Sequence, residues 1–245
     1  MNLLDHIVPI LLAVFAAGFI RGATGFGFSM AAVTLMSFAI SPLTAVMIAQ
    51  VLQVASAPAD LIAFRRDVDW PALGRLSIGA LIGVPLGVMT ASAVPEEVLR
   101  LLLAIILLIG FVLLIAKVSF TPGTKQAIAT GAASGLFAGM AAMPSPPVVA
   151  YFLGTGQGKA STRASLLMFF CMTACVAISV AVLQGSFQMV ALWQGLLALP
   201  AMTLGSRLGG ILFKKLDERL FRLTALCVFG TLVLSAGAKA IAAFL

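Results

Sequence analysis

Residues 18–30, GFIRGATGFGFSM, place helix-weakening glycines, hydroxyl side chains and one cation in a strongly apolar part of the chain. Gly25 and Gly27 are two residues apart, so they cannot share one helix face, and glycine weakens a helix. A helix that breaks in an apolar environment exposes backbone N–H groups, and a helix N-terminus attracts anions through such groups. The segment therefore predicts an anion-binding break. Its candidate ligands are Thr24, Gly25, Gly27 and Ser29.

A second break is predicted at residues 143–147, MPSPP, where prolines interrupt another apolar stretch. Proline lacks the N–H group and stops a helix, and Met143 and Ser145 are the candidate ligands here. Two such breaks that meet at mid-depth would form one site. The simpler alternative is close helix packing, because Gly18 and Gly22 have the small-residue spacing of packed membrane helices.

Charged side chains near the breaks would determine the local charge. Arg21 precedes the first break and Arg163 opens a later apolar segment, and each would either pair with the anion or anchor its helix at the membrane interface. Asp60 is the candidate for proton coupling if it is buried. Since Arg65 is only five residues away, an interfacial ion pair between these two residues is the alternative.

Gln50 and Gln53 are three residues apart, so they share a helix face, and a buried glutamine needs a hydrogen-bond partner. This pair would either line the anion cavity or join helices. An intramembrane enzyme would need a nucleophile with a base or a metal cluster, and the sequence has a single histidine, His6. The chain also lacks a phosphate-binding P-loop. No cofactor or metal is predicted.

The elements that position these residues are predicted to be membrane helices. Of the 245 residues, 62% are apolar and 9% are charged, against roughly 25% charged in a soluble domain. Residues 22–59, 126–158 and 164–206 contain no Asp, Glu, Lys or Arg, and each run exceeds the roughly 20 residues that span a bilayer. Such solid apolar runs lack the alternation of barrel strands. The sequence thus predicts an all-α integral membrane protein.

Glycine, proline and charge divide the chain into about ten apolar segments. The first, second, sixth and seventh are shorter than a comfortable span, which favours broken or re-entrant hairpins. The segments are 6–21, 25–40, 43–63, 72–93, 98–116, 125–140, 144–154, 161–183, 189–212 and 220–243.

The segments repeat along the chain. At an offset of 122 residues, six identities occur in the nineteen positions from Gly83 to Leu101. Earlier in the halves, an offset of 113 matches Gly18 with Gly131, and the nine-residue difference fits the polar stretch GTGQGKAST at 154–162. These matches predict two diverged copies of five segments each. The predicted repeats are residues 1–117 and 118–245, each opening with a glycine- or proline-rich hairpin.

Loop charge predicts that the two copies are inverted. The basic loops at 64–71 and 214–220 correspond to the loops at 183–188 and 93–98, which contain no Lys or Arg. Since basic loops stay on the cytoplasmic side, corresponding loops would lie on opposite sides. The net charge of +7 therefore indicates a basic cytoplasmic face rather than nucleic-acid binding, and it favours a multi-pass protein of a bacterial-type inner membrane.

These motifs resemble the TauE/SafE sulfite-exporter family of membrane permeases, which has a similar length, a twofold repeat and a glycine-rich motif opening each half. Here the motif reads GATGFGFSM at 22–30 and GLFAGMAAMPSPP at 135–147, and TRASLL at 162–167 also fits. The resemblance implies transport, commonly outward, of small sulfur-containing or organic anions such as sulfite or sulfonates.

The leading hypothesis is a secondary exporter of such anions that works by alternating access around a site between the two hairpins. The alternatives are a passive anion channel or a membrane scaffold subunit, and then an intramembrane enzyme. The predicted partners are a small anionic substrate and the lipid bilayer. A homodimer is left open.

Overall fold

The computed structural model describes residues 6–24, 26–116 and 123–213, together with five positions between 230 and 237. The tenth predicted segment, 220–243, lies outside the described residues apart from those positions, and so does the predicted boundary between the repeats. Within the described ranges the chain is all-helical, as expected from its hydropathy. The helices are α1 (Ile7–Thr24), α2 (Phe28–Met36), α3 (Pro42–Phe64), α4 (Trp70–Ala93), α5 (Glu96–Ala116), α6 (Thr124–Ala141), α7 (Ser145–Gly154), α8 (Lys159–Leu183) and α9 (Met189–Phe213).

Helix length separates spanning helices from short ones. Among the described residues, four helices are long and apolar enough to cross a bilayer: Pro42–Phe64, Trp70–Ala93, Ala160–Leu183 and Met189–Ile211. By contrast, α2 and α7 have only 9 and 10 residues. At about 1.5 Å per residue they reach about half of a hydrocarbon core of about 30 Å. The chain is a multi-pass membrane protein, and the prediction that the second and seventh segments are short is confirmed.

Side-chain caps fix the starts of two spanning helices. The Ser41 hydroxyl accepts the N–H of Thr44 at 3.3 Å before α3, and the Asp69 carboxylate accepts the N–H of Ala72 at 3.0 Å before α4. Each cap satisfies a backbone donor that the first helical turn leaves open. The same Asp69 donates its own N–H to the Ser165 hydroxyl at 2.9 Å, which ties the α3–α4 loop to α8.

Two helix pairs pack backbone against backbone: α1 lies along α9, and α4 lies along α6. A Cβ atom added to Gly18 or Gly22 would overlap the backbone of α9 at Met202 and Ser206, respectively. The packing explanation for these glycines is therefore confirmed, because only glycine permits so close an approach of two membrane helices. The glycines that bring α4 and α6 together in the same way are Gly79, Gly83, Gly87, Gly131, Gly135 and Gly139.

The helix starts recur at one constant interval. α6, α7 and α8 begin 117 residues after α1, α2 and α3 (7 to 124, 28 to 145 and 42 to 159). The offset of 113 residues is therefore wrong by about one helical turn, because glycines spaced four apart still match after a shift of four. The extra residues of the second half do not lie at 154–162. They fall around the α8–α9 loop, where α8 is 25 residues long against 23 in α3.

The loops gather at two ends of the bundle. We call the end with residues 65–69 and 155–158 the basic end and the end with residues 37–41 and 184–188 the opposite end. α3 begins at the opposite end, where the Thr44 hydroxyl donates to Gln188 Oε1 at 2.9 Å. It finishes at the basic end, beside the first turn of α8. Helices α3 and α8 are therefore antiparallel.

Candidate functional site

The first turns of α2 and α7 meet beside α3 and α8, around a cavity of about 370 Å³ that includes the space at its mouth. We call it the hairpin cavity, after the α1–α2 and α6–α7 hairpins that approach it from the two ends of the bundle. Its polar lining consists of Arg21, Ser29, Gln53, Ser56, Asp60 and Ser145. Its apolar lining includes Phe26, Phe28, Pro144, Leu167 and Phe170.

The first break presents backbone donors to this cavity. Gly27 has a φ of 80°, in the left-handed region that favours glycine, and precedes α2 without a side-chain cap. The N–H of Ala31 bonds to the Gly27 carbonyl at 3.1 Å, so the N–H groups before it, including those of Phe28 and Ser29, have no partner inside the helix. Because Phe28 and Ser29 line the cavity, this uncapped N-terminus favours an anion there.

The second break is poorer in donors than the sequence suggested. α7 begins at Ser145 after Pro144 and has no side-chain cap. Its next two residues are Pro146 and Pro147, which have no N–H group. Ser145 is therefore the one residue of the first three that offers an amide donor. The two hairpin tips meet as expected, but backbone donors come mainly from the first.

Of the predicted charged ligands, Arg21 and Asp60 line the cavity, whereas Arg163 in the first turns of α8 is not among the lining residues. The Arg21 guanidinium donates to the Asp60 carboxylate, and these side chains are 13% and 19% exposed. Asp60 therefore pairs with Arg21, and the alternative of an ion pair with Arg65 is wrong. The Arg163 guanidinium lies 5.5 Å from the centre of the Phe64 ring. Its buried Nε has no hydrogen-bond partner among the described residues.

Gln50 and Gln53 of α3 have hydrogen-bond partners on different hairpins. Gln53 Nε2 donates to the Ser29 hydroxyl at 2.9 Å and lines the hairpin cavity. Gln50 is 3% exposed, and its Nε2 donates to the Ala138 carbonyl of α6 at 3.3 Å. The two positions are about 60° apart around the helix axis. One glutamine therefore reaches the hairpin cavity, while the other joins α3 to the second hairpin.

Some predicted ligands lie elsewhere or outside the described residues. Met143 is fully buried in the core, and its N–H donates to the Phe137 carbonyl at 3.2 Å; it does not line the hairpin cavity, because the chain turns there and directs Ser145 inward instead. Gly25 lies outside the described residues. Thr24 is the last residue of α1.

The predicted ligands do not include the α8 wall of the cavity, which is formed by Leu167, Phe170 and Cys171. Leu167 and Phe170 follow Gln50 and Gln53 by the interval of 117 residues that relates α3 to α8. The correct offset would therefore have pointed to this wall, whereas the offset of 113 did not.

The cavity combines the Arg21 guanidinium, amide and hydroxyl donors, and aromatic walls. Such donors suit the oxygens of a small anion, because charge-assisted hydrogen bonds are stronger than neutral ones, and apolar walls with a few polar groups are typical of ligand pockets. Among the described residues, no three His, Cys, Asp or Glu side chains come together to hold a metal ion.

Comparison with known proteins gives a consistent result. The family described as "Sulfite exporter TauE/SafE" matches residues 10–237. A curated relative, "Probable sulfite/organosulfonate exporter TauE" of Cupriavidus necator, is 26% identical over 208 residues, which cover 81% of each chain. No solved structure matches this chain.

Proposed function

This chain belongs to the sulfite exporter TauE/SafE family, and from that premise we propose that it is a secondary transporter exporting small sulfur-containing or organic anions, such as sulfite or sulfonates. The observation that carries the proposal is the hairpin cavity, where the Arg21 guanidinium, the Gln53 amide and the uncapped N-terminus of α2 come together. The named activity of the Cupriavidus necator relative supports the same substrate class. The membrane is a bacterial-type inner membrane, which the bacterial relative supports.

The anion is held by both hairpins and by α3. The α2 N-terminus with Gly27, the hydroxyls of Ser29 and Ser145, and the Gln53 amide bind its oxygens. Arg21 supplies the charge in the cavity, and Arg163 adds positive potential from the first turns of α8. Hydrogen bonds to a charged group stabilise by about 1.5–3 kcal/mol each, so a few of them give useful affinity for a small ion.

Transport proceeds by alternating access between two inverted repeats, residues 1–117 and 118–245. The constant interval between the helix starts supports this proposal. So does the antiparallel arrangement of α3 and α8, in which Thr44 at the start of α3 contacts the α8–α9 loop and Phe64 at its end contacts the first turns of α8. Rocking of one repeat against the other would open the hairpin cavity to each side in turn.

Asp60 couples transport to protons in this scheme. Its carboxylate already accepts a hydrogen bond from the Arg21 guanidinium, so the substrate and the carboxylate compete for the same donor. Protonation of Asp60 removes the competitor and leaves the guanidinium for the anion.

Purified protein in liposomes is expected to produce a saturable flux of sulfite. Saturation is expected because the anion must occupy one site in each cycle. Flux is measured against empty liposomes and against a panel of sulfate, thiosulfate, taurine, sulfoacetate and carboxylates. A flux that rises linearly with concentration would indicate a channel, and no flux of any panel member would indicate a scaffold; either result overturns the proposal.

Cysteines placed at positions 67 and 186 are expected to react from opposite sides of the membrane, because the two loops correspond in the inverted repeats. The background lacks the three native cysteines, and a membrane-impermeant thiol reagent is applied to sealed vesicles of known orientation. Labelling of Asp67→Cys and Ser186→Cys from the same side would remove the inverted arrangement.

A further inference from the structure

A second, smaller cavity of about 260 Å³, a volume that includes the open space at its mouth, lies beside α3 toward the opposite end of the bundle. Leu43, Met47 and Gln50 contribute the α3 side of its lining, and Ala91 and Ser186 contribute from α4 and the α8–α9 loop. Along α3, the lining of this cavity extends to Gln50 and the lining of the hairpin cavity begins at Gln53.

The same two helices line both cavities. On α3 the lining residues recur every three or four positions from Leu43 to Asp60, which is the spacing of one continuous helical stripe. On α8 the lining passes from Leu167 and Cys171 at the hairpin cavity to Ala181 at the second cavity. A solute that follows the antiparallel α3–α8 pair would therefore pass from one cavity into the other.

Two hydrogen bonds lie at the partition between the cavities. Gln50 and Gln53 are one turn apart, about 4.5 Å along the helix axis. Gln53 binds the first hairpin through Ser29 at 2.9 Å, and Gln50 binds the second hairpin through the Ala138 carbonyl at 3.3 Å. Each glutamine thus links α3 to a different repeat, and the longer bond of Gln50 is the weaker of the two.

We infer that the second cavity is the far half of the anion's path and that Gln50 positions the anion at the partition. This inference rests on the proposed function. When the second hairpin moves, Gln50 Nε2 exchanges the Ala138 carbonyl for an anion oxygen, which is the better acceptor because it is charged. A neutral amide donates to the anion without holding it as an arginine would, so the anion can continue toward the opposite end.

A charged adduct in the second cavity is expected to block transport. Ala91 is 4% exposed and lines this cavity, so Ala91→Cys, in the cysteine-free background, is treated with a sulfonatoethyl thiol reagent from each side. We expect labelling from the side of the opposite end and loss of at least about nine-tenths of the sulfite flux. The same adduct on Glu97→Cys, an exposed position in the first turn of α5 that lines neither cavity, is expected to leave the flux unchanged.

Two results would overturn the inference while wild-type flux persists. One is full modification of Ala91→Cys with unchanged transport. The other is Ala91→Cys that stays unmodified during turnover, since a cavity on the path must open in each cycle. Absence of sulfite flux in the wild-type protein would instead overturn the proposed function, so the two failures are distinguishable.

Gln50→Leu and Gln53→Leu form a matched pair that tests the role of the partition. Gln53→Leu is expected to raise the sulfite Kd about tenfold, because it removes a donor of the hairpin cavity. Gln50→Leu is expected to leave Kd within about twofold and to reduce the transport rate about tenfold, because the anion meets this residue only after it leaves the site. A Gln50→Leu protein with the wild-type transport rate contradicts the role of Gln50 at the partition. If this variant does not fold, the effect of the Ala91→Cys adduct on the sulfite flux tests the path through the second cavity.

Discussion

Arg21→Gln is expected to raise the sulfite Kd by about 10- to 100-fold, because it removes the guanidinium that approaches the anion site. The loss of a hydrogen bond to a charged group amounts to about 1.5–3 kcal/mol, which is one to two powers of ten in Kd. The variant also leaves the Asp60 carboxylate without its partner at the cavity, and that uncompensated charge repels the anion. Isothermal titration calorimetry of the detergent-solubilised protein measures the change.

Asp60→Asn is expected to have the opposite effect, with a Kd about tenfold lower, because it removes the internal competitor for Arg21. The Kd of the double variant, Arg21→Gln with Asp60→Asn, is expected to lie between the Kd values of the two single variants, since Arg163 then provides the remaining positive charge. Arg75→Gln is the matched control, because Arg75 is an exposed arginine on α4 that does not line the hairpin cavity. An unchanged Kd in Arg21→Gln would assign Arg21 to the structural ion pair alone.

Gly22→Ala is expected to lower the free energy of unfolding by about 3 kcal/mol. The added Cβ would overlap the backbone of Ser206, and backbone atoms of a packed helix cannot move aside as a flexible side chain can. Overpacking of a tight contact destabilises by roughly 1–3 kcal/mol, and the upper part of this range applies because both partners are main chain. Thermal unfolding in detergent, monitored by the loss of monodisperse protein, measures the effect.

Gly74→Ala is the control for this experiment. A Cβ at Gly74 would meet no atom within 4 Å, and alanine is the better helix former by about 1 kcal/mol. The control is therefore expected to be as stable as the wild type or slightly more stable. Equal stability of Gly22→Ala and Gly74→Ala would contradict the close contact of α1 with α9.

Local chemistry made much of this architecture predictable. Long runs without charge predict membrane helices, because the bilayer provides no partner for a charge or for an open backbone group. The short second and seventh segments were visible from the positions of glycine and proline. The meeting of the hairpin tips was foreseeable because polar groups in a membrane need one another. The sequence also contained Arg21, Ser29, Gln53, Asp60 and Ser145 as conspicuous polar residues in apolar surroundings.

The offset of 113 residues that the sequence predicted between the two halves was wrong for a physical reason. Glycines spaced four residues apart form a pattern that repeats each helical turn, so an offset of 113 or 117 residues matches almost equally well. Only the contact of each glycine with a particular backbone distinguishes the two. In the contact between α4 and α6, Gly83 lies against the backbone of Ala132 and Gly87 against that of Leu136. A Cβ at either glycine would overlap the facing backbone, so the two helices can pack in this register only where glycines face each contact.

The sequence by itself determined that this chain is a helical membrane protein with two broken hairpins and a small set of polar residues, since each of these follows from the local preference of a residue for water, lipid or helix. Only the tertiary structure decided that Asp60 pairs with Arg21 rather than Arg65, and that Gln50 and Gln53 serve different cavities. Such pairings depend on distances between helices that are far apart in the chain, and helix packing sets those distances.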